Sequence, residues 1–560
     1  MKAYITIFLI LLVSNAHGLI ISEFCPDTAL PDDADEYVVL EGHESLDSVM
    51  VSDGEGSFRF PEGAKIDGKL VISMNGEAYR STHNSFPDYE YYNSSSYVSD
   101  VIPSGRFKLA NSKDEIILYK AGKEIERVSW PRDVKPRKEQ VHYFKDGTWD
   151  PVPYFTGQSR FNTTTFTDVS GTAFLSPDCS YEIFRKAIES AHESVFVNVY
   201  EFTSTDMAED LVRAHNRGVN VSVLVEGVPV GGMSSNERYA CSQMNTSGIP
   251  IYQMGVKSVK KGEKKTRELY RYDHAKYIII DNSQVFITSE NFKSNGFPAH
   301  NESGNRGWGL LVRSPELAAY FFQVYAHDSE ITDIHPFEAG KGESEVCDEE
   351  VYQEKIQPYS FKNATIIPVL APDTSDGIKS LIDGATQSID IEQAYIKNET
   401  GGGLNRFLKA ALDRSRKGVK VRVLLDSYYY NVQDNADNDE MVKWINRYAK
   451  ANSLPVEARC IDLEKSKLLK IHNKGVIVDG SFTLISSINW NTNSPDFNRE
   501  TGIIILDNKT AQYFSEAFSR DWEDPVKKIS NGPDFVKIMV AVFIIGMLLV
   551  IYGIRRYKRR

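Results

Sequence analysis

The sequence predicts an α/β protein built by duplication, with a β-sandwich before the duplicated part and one transmembrane helix after it. Three observations predict this. Residues 171–335 and 361–527 repeat one order of strands and helices. Residues 19–130 are short β-branched and aromatic runs broken by Gly, Asn, Asp and Pro. An apolar run ends at Ile554, directly before five cations, Arg555, Arg556, Lys558, Arg559 and Arg560.

Lys2, the apolar stretch Ala3–Val13 and the small residues Ala16 and Gly18 read as a signal peptide over 1–18. Residues 536–554 are long enough to cross a bilayer, and the basic tail 555–560 places the C-terminus inside and everything before it outside the cell. The chain of 560 residues carries a net charge of -13. One cation in 1–18 and six in 535–560 conceal a stretch, 19–534, at -20. That balance excludes a generally basic nucleic-acid coat, and 41% hydrophobic against 25% charged residues excludes wholesale disorder. Five scattered cysteines without a C-x-x-C pair argue against a disulfide scaffold and a zinc ribbon. Eight N-x-S/T sequons, from Asn93 to Asn508, fit an exported chain.

Each repeat opens with Leu-x-Pro-Asp, at Leu175–Asp178 and Leu370–Asp373. An amphipathic helix follows, with Phe184, Ala187, Ile188 and Ala191 in one copy and Ile378, Leu381, Ile382 and Ala385 in the other, at spacing i, i+3, i+4, i+7. Strands Val195–Phe202 and Ile389–Ile396 come next, then a second helix and a matching Gly-Val-x-Val strand. Such alternation predicts a largely parallel sheet, and a duplication predicts an intramolecular pseudo-dimer whose site draws on both halves. Residues 131–170 and 336–360 read as linkers.

The chemistry falls at one place in both copies. His274-x-Lys276-x4-Asp281 and His472-x-Lys474-x4-Asp479 each put an imidazole and an ammonium two apart on a strand, hence on one face. Asp281-Asn282 and Asp479-Gly480 are hairpin residues. The returning strands carry Ser289 with Asn291 and Ser487 with Asn489, again two apart. One imidazole can attack phosphorus and the other can protonate the leaving oxygen. Two lysines and two asparagines, with the serines, can hold the phosphate oxygens without a metal or other cofactor.

This paired H-x-K-x4-D pattern resembles the phospholipase D superfamily. The resemblance implies a phosphodiesterase with a phosphohistidine intermediate, His274 as nucleophile, His472 as general acid, and Lys276, Lys474, Asn291 and Asn489 as phosphate ligands. Asp281 and Asp479 belong to the motif but sit at turns, which suits a structural role. The family's acid after the second motif matches Glu500 in Asn498-Arg499-Glu500-Thr-Gly502, whereas the first half reads Asn305-Arg306-Gly307-Trp-Gly309. Glu500 is therefore expected to orient His274, and His472 to lack an equivalent partner, which would also fit a degenerate first half. In 19–130, Ile20–Phe24, Glu36–Leu40, Leu70–Ile72 and Val128–Trp130 resemble the lamin tail domain, an immunoglobulin-like sandwich, which implies a binding or spacer role.

The substrate is an anion, so local charge must offset the -20. Lys257, Lys260, Lys261, Lys264, Lys265 and Arg267 precede the first motif, and Lys465, Lys467 and Lys470 the second. The reading favours a membrane-anchored extracellular hydrolase of phospholipid head groups. An extracellular nuclease, a phosphatidyltransferase like cardiolipin synthase, and a non-catalytic surface scaffold are the alternatives.

Overall fold

The computed structural model describes residues 18–523, apart from 29, 112, 131–138, 146–147, 150–153, 256–268, 301–302, 332–333, 346–355, 400–401 and 435–436. The signal peptide, the transmembrane span, the basic tail and the lysine run 257–267 lie outside the described residues. Among the described residues no helix is long and apolar enough to cross a membrane. The described residues form two compact units, one built mainly from the chain up to Arg160 and one from Phe161 onward.

The first unit is β-rich. Ile20–Cys25, Tyr37–Ser45 and Lys65–Ser73 pair antiparallel in one sheet. Val49–Ser52, Ser57–Arg59, Asp114–Lys120 and Lys123–Trp130 form another. Ile21, Val38, Leu40 and Ile72 from the first meet Val51, Phe58, Ile116 and Leu118 from the second in a shared core, as face-to-face sheets with alternating apolar residues do. Within the expected linker 131–170, Gln140–Lys145 is a strand that pairs with Ile20–Cys25 and so extends the first sheet.

The second unit holds a fifteen-stranded sheet among its described residues. Phe166–Ser176 and Tyr359–Ala371, the first strands of the two halves, pair antiparallel at its centre, so one sheet runs through both copies. The expectation of a largely parallel sheet is corrected. Parallel pairing joins Ser194–Val199, Asn220–Glu226 and Ile251–Met254 in one half, and Ser388–Gln393, Lys420–Leu425 and Val456–Cys460 in the other. The motif strands return through tight hairpins, and a hairpin can only be antiparallel. The repeated helices cover the sheet as their periodicity requires. Ser180–Glu189 buries Phe184, Ala187 and Ile188, and Gly377–Asp383 buries Ile378 and Ile382. Ser204 caps Thr205–Asn216 by accepting from Met207 N–H, and Asn405 caps Arg406–Ser415 by accepting from Phe407 and Leu408.

Candidate active site

The two motif strands, Lys276–Ile280 and Lys474–Val478, are wholly buried and lie antiparallel to Ser194–Val199 and Ser388–Gln393. Asp281 and Asn282 adopt left-handed φ of 49° and 47°, and Asp479 one of 53°, as tight hairpins demand. Each aspartate then ties down its neighbour. Asp281 accepts from His192, Glu193 and Ser194 N–H, and Asp479 from Thr386, Gln387 and Ser388 N–H. Five residue steps of strand carry the chain from each lysine to its aspartate, roughly 16 Å. Although in the motif, both aspartates are remote from the imidazoles and do not join the site.

The histidine segments are held by the opposite half. His274 N–H donates to Arg499 O at 2.8 Å, and Arg499 N–H to Tyr272 O at 2.9 Å. Symmetrically, His472 N–H donates to Arg306 O at 2.9 Å, and Arg306 N–H to Lys470 O at 2.8 Å. Both arginines are buried between aspartates. Arg499 meets Asp373 at 3.0 Å and Asp328 at 2.9 Å; Arg306 meets Asp178 and Asp521, each at 2.6 Å. Asp178 and Asp373, the aspartates of the Leu-x-Pro-Asp openings, hold the arginine of their own half, while Asp521 and Asp328 reach it from the other half. Glu226 and Asp426 complete the symmetry by accepting from Asp273 and Ile471 N–H at 2.6 and 2.7 Å.

The imidazoles themselves differ. His274 Nδ1 lies 2.7 Å from Glu500 Oε2, a charge-assisted contact across the halves, and its ring packs edge-on to Tyr200 with centroids 4.6 Å apart. The expectation that His472 lacks an equivalent partner holds for hydrogen bonding, since its Nδ1 has no hydrogen-bond partner among the described residues, but a carboxylate lies near it. Its Nδ1 lies 3.4 Å from Oε2 of Glu290, a buried residue between Ser289 and Asn291 that the sequence reading passed over. That distance is too long for a hydrogen bond, and the contact becomes an ion pair only when the imidazole is protonated. Burial lowers the pKa of His274 against the pull of Glu500. It lowers that of His472 further, with Lys474, Lys470 and Lys276 adding to the effect. Burial raises that of Glu290.

Lys276 and Lys474 are fully buried, and each Nζ donates to the carbonyl of its own motif histidine, His274 and His472. Burial pulls Lys276 down to about 8, and burial with Lys276 nearby holds Lys474 well below the ordinary lysine range. Two ammonium groups brought together out of water form a site that an anion would relieve. Asn291 Nδ2 donates to Glu201 at 2.7 Å, and its counterpart in the second repeat, Asn489, is half-buried. The serines are committed elsewhere. Ser289 Oγ accepts from Trp308 N–H at 3.1 Å, and Ser487 Oγ accepts from Thr501 N–H at 3.0 Å. They brace the neighbouring strands instead of projecting towards a phosphate. Among the described residues no group of three or more His, Cys, Asp or Glu side chains could hold a metal ion. Cys25, Cys179, Cys241 and Cys460 are free thiols, and Cys347 lies outside the described residues.

Loops at this end of the sheet expose apolar side chains. Val228 and Val230 follow the strand Asn220–Glu226, and Val230 N–H donates to Tyr200 Oη at 2.8 Å, directly behind His274. Tyr429 and Tyr430 follow Lys420–Leu425, and Lys470 Nζ donates to Tyr430 Oη at 3.1 Å, two residues before His472.

Comparison with known proteins fits this geometry. Residues 184–328 and 378–522 each match the family described as cardiolipin synthase, phospholipase D-like domain. A mouse protein, mitochondrial cardiolipin hydrolase, is 31% identical over 114 residues, which are 20% of this chain and 45% of that protein. The match thus spans less than half of that relative. Phosphatidylserine synthase from Haemophilus influenzae aligns over 68% of this chain and 96% of its own at 14% identity and a TM-score of 0.48. The phospholipase D family member Nuc from Salmonella typhimurium aligns over 31% of this chain and 99% of its own at 22% identity and a TM-score of 0.25. With two matched copies covering half of its length, in the two halves that face each other across His274 and His472, the chain belongs to the cardiolipin synthase, phospholipase D-like domain family.

Proposed function

We propose that the protein is a phosphodiesterase that cleaves phospholipid head groups through a phosphohistidine on His274. The observation that carries this reading is the pairing of two cross-braced imidazoles with two buried lysines at one place. Glu500 engages His274 Nδ1 and leaves Nε2 free to attack phosphorus. A carboxylate behind the ring also stabilises its cation as the bond forms. As the N–P bond forms, the bond from phosphorus to the leaving alcohol breaks, and His472 gives that oxygen its proton. A water then attacks phosphorus, His472 takes its proton, and the N–P bond breaks to release the phosphoryl product. Lys276, Lys474, Asn291 and Asn489 would carry the charge on the non-bridging oxygens.

Lipid is favoured over nucleic acid by the exposed Val228, Val230, Tyr429 and Tyr430 on loops next to the two histidines, since apolar and aromatic tips suit a bilayer interface. The lipid substrates in the names of the matched family and the mouse relative agree with it. The reading includes anchoring through residues 536–554, an extracellular catalytic unit, and a spacer or binding role for the lamin-tail-like sandwich.

The test incubates the full chain in detergent with labelled phospholipids, and separately with single- and double-stranded DNA, each with and without chelator and an added alcohol. Release of head group, insensitive to chelator, is expected. Product from DNA alone would overturn the lipid reading, alcohol-dependent product would make the protein a transferase, and no product from any substrate would favour a scaffold.

A further inference from the structure

The second imidazole has its own acid, and it comes from a different chain position than the first. By repeat order Gly307 is the counterpart of Glu500, and Glu290 the counterpart of Ile488. The acid has therefore moved from one strand to its neighbour between the halves. Three observations show that the exchange is compensated. A Cβ built on Gly307 would lie 2.5 Å from Glu290 Cγ and 2.9 Å from Cδ, so the glycine leaves the space that the Glu290 carboxyl fills. In the other half a hydrophobe, the fully buried Ile488, stands at the position equivalent to Glu290. The supporting amide is unchanged, with Asn498 Nδ2 donating to Glu500 at 2.9 Å and its counterpart Asn305 Nδ2 donating to Glu290 at 3.0 Å. Amide, carboxylate and imidazole thus recur in the same order in both halves, although the carboxylate hangs from a different strand.

We propose that Glu290 is the positioning residue for His472, holding Nδ1 so that Nε2 serves as acid and then base, and that Gly307 is its obligate partner. This rests on the phosphohistidine reading. The difference in contact also assigns the roles. The 2.7 Å bond to Glu500 suits a ring that must carry positive charge as a covalent intermediate. The looser 3.4 Å contact to Glu290 suits a ring that must give up and regain its proton, with Lys474, Lys470, Lys276 and His274 as the other charged or titratable groups facing it.

The experiment compares Glu290→Gln, Gly307→Glu and the double variant Glu290→Ile/Gly307→Glu, which rebuilds the second-half arrangement in the first. Pre-steady-state bursts are read with a p-nitrophenyl phosphodiester, whose leaving group needs no proton, and with an alkyl phosphodiester, whose leaving group does. Glu290→Gln should slow the alkyl burst on the order of 100-fold while changing the p-nitrophenyl burst less than about threefold. Gly307→Glu alone should lose both, and the double variant should recover the alkyl burst to within about tenfold of wild type. Equal losses on both esters in a folded Glu290→Gln, or a double variant no better than Gly307→Glu, would overturn the proposal. If the wild type itself cleaves neither ester, the phosphohistidine reading fails first. Ring-nitrogen NMR of labelled histidine then still decides the contact: Glu290→Gln should lower the titration midpoint of His472 and spare that of His274, and an unmoved His472 would overturn it.

Discussion

Replacing Lys276 with Met probes the buried charge at the heart of the site. Lys276 is fully buried, and burial pulls its pKa to about 8. Free protein at pH 9 then holds Lys276 roughly nine-tenths neutral, and at pH 7 roughly nine-tenths charged. An oxyanion about 3.5 Å from Nζ contributes about 4–5 kcal/mol per negative charge at an effective dielectric of about 20. At 1.36 kcal/mol per tenfold, that returns the pKa above about 10. Binding of tungstate, a dianion throughout this range, should draw in about 0.8 proton more at pH 9 than at pH 7 through Lys276. Titration calorimetry in two buffers of different ionisation enthalpy reads the uptake. In Lys276→Met the rise between pH 7 and 9 should vanish. Stability supplies an independent check of sign. The unfolded chain binds the proton up to about pH 10.4 and the folded one only to about 8, so wild-type stability should rise with pH across that window. Lys276→Met should flatten this rise and be the more stable protein below pH 8. Flat proton uptake in the wild type, or uptake that survives the substitution, would refute the reasoning.

Three further outcomes follow from other parts of the molecule. Asp328→Asn leaves the buried Arg499 short of one charge partner and should cost about 3–5 kcal/mol in urea denaturation; a loss under about 1 kcal/mol would mean the interface does not depend on this pair. Asp281→Asn keeps a side chain suited to the left-handed turn but weakens its bonds to three backbone N–H groups, and should cost about 1 kcal/mol while leaving the rate at pH 7 unchanged, since it is remote from the imidazoles. Val230→Asp with Tyr429→Ser should raise KM on phospholipid vesicles about tenfold and leave that on a short soluble diester unaltered; equal effects on both would remove the bilayer from the explanation.

Much of this architecture was legible because duplication writes each instruction twice. Phe184, Ala187 and Ile188 and their partners Ile378 and Ile382 occupy the buried face that their spacing predicted. The H-x-K spacing placed both lysines on one face of buried strands. The direction of the sheet was harder. Helices between strands favour parallel pairing, but the motif strands enter antiparallel to Ser194–Val199 and Ser388–Gln393, and the Asp281-Asn282 and Asp479-Gly480 hairpins add further antiparallel pairs. The strand Gln140–Lys145 was hidden for a different reason: Val141, Tyr143 and Phe144 sit among polar residues in a run of only six, where local composition carries little signal.

The acid behind His472 could not be found by matching position to position, because the two halves keep the carboxylate in space and not in register. Neighbouring antiparallel strands bring residues far apart in sequence within one side chain of each other. A carboxyl group can then be supplied from either strand, provided the other gives up its side chain. The same exchange of bulk recurs nearby. Gly475 leaves room for Trp308, whereas their counterparts by repeat order are Tyr277 and Thr501. Gly307 sits against Glu290 of its own half, and Gly475 against Trp308 of the other half. The signal was therefore present as a pair of departures, an extra glutamate at 290 and a missing one at 307. Taken separately, the second suggested a degenerate half. Taken together, they describe one carboxylate delivered from the other side.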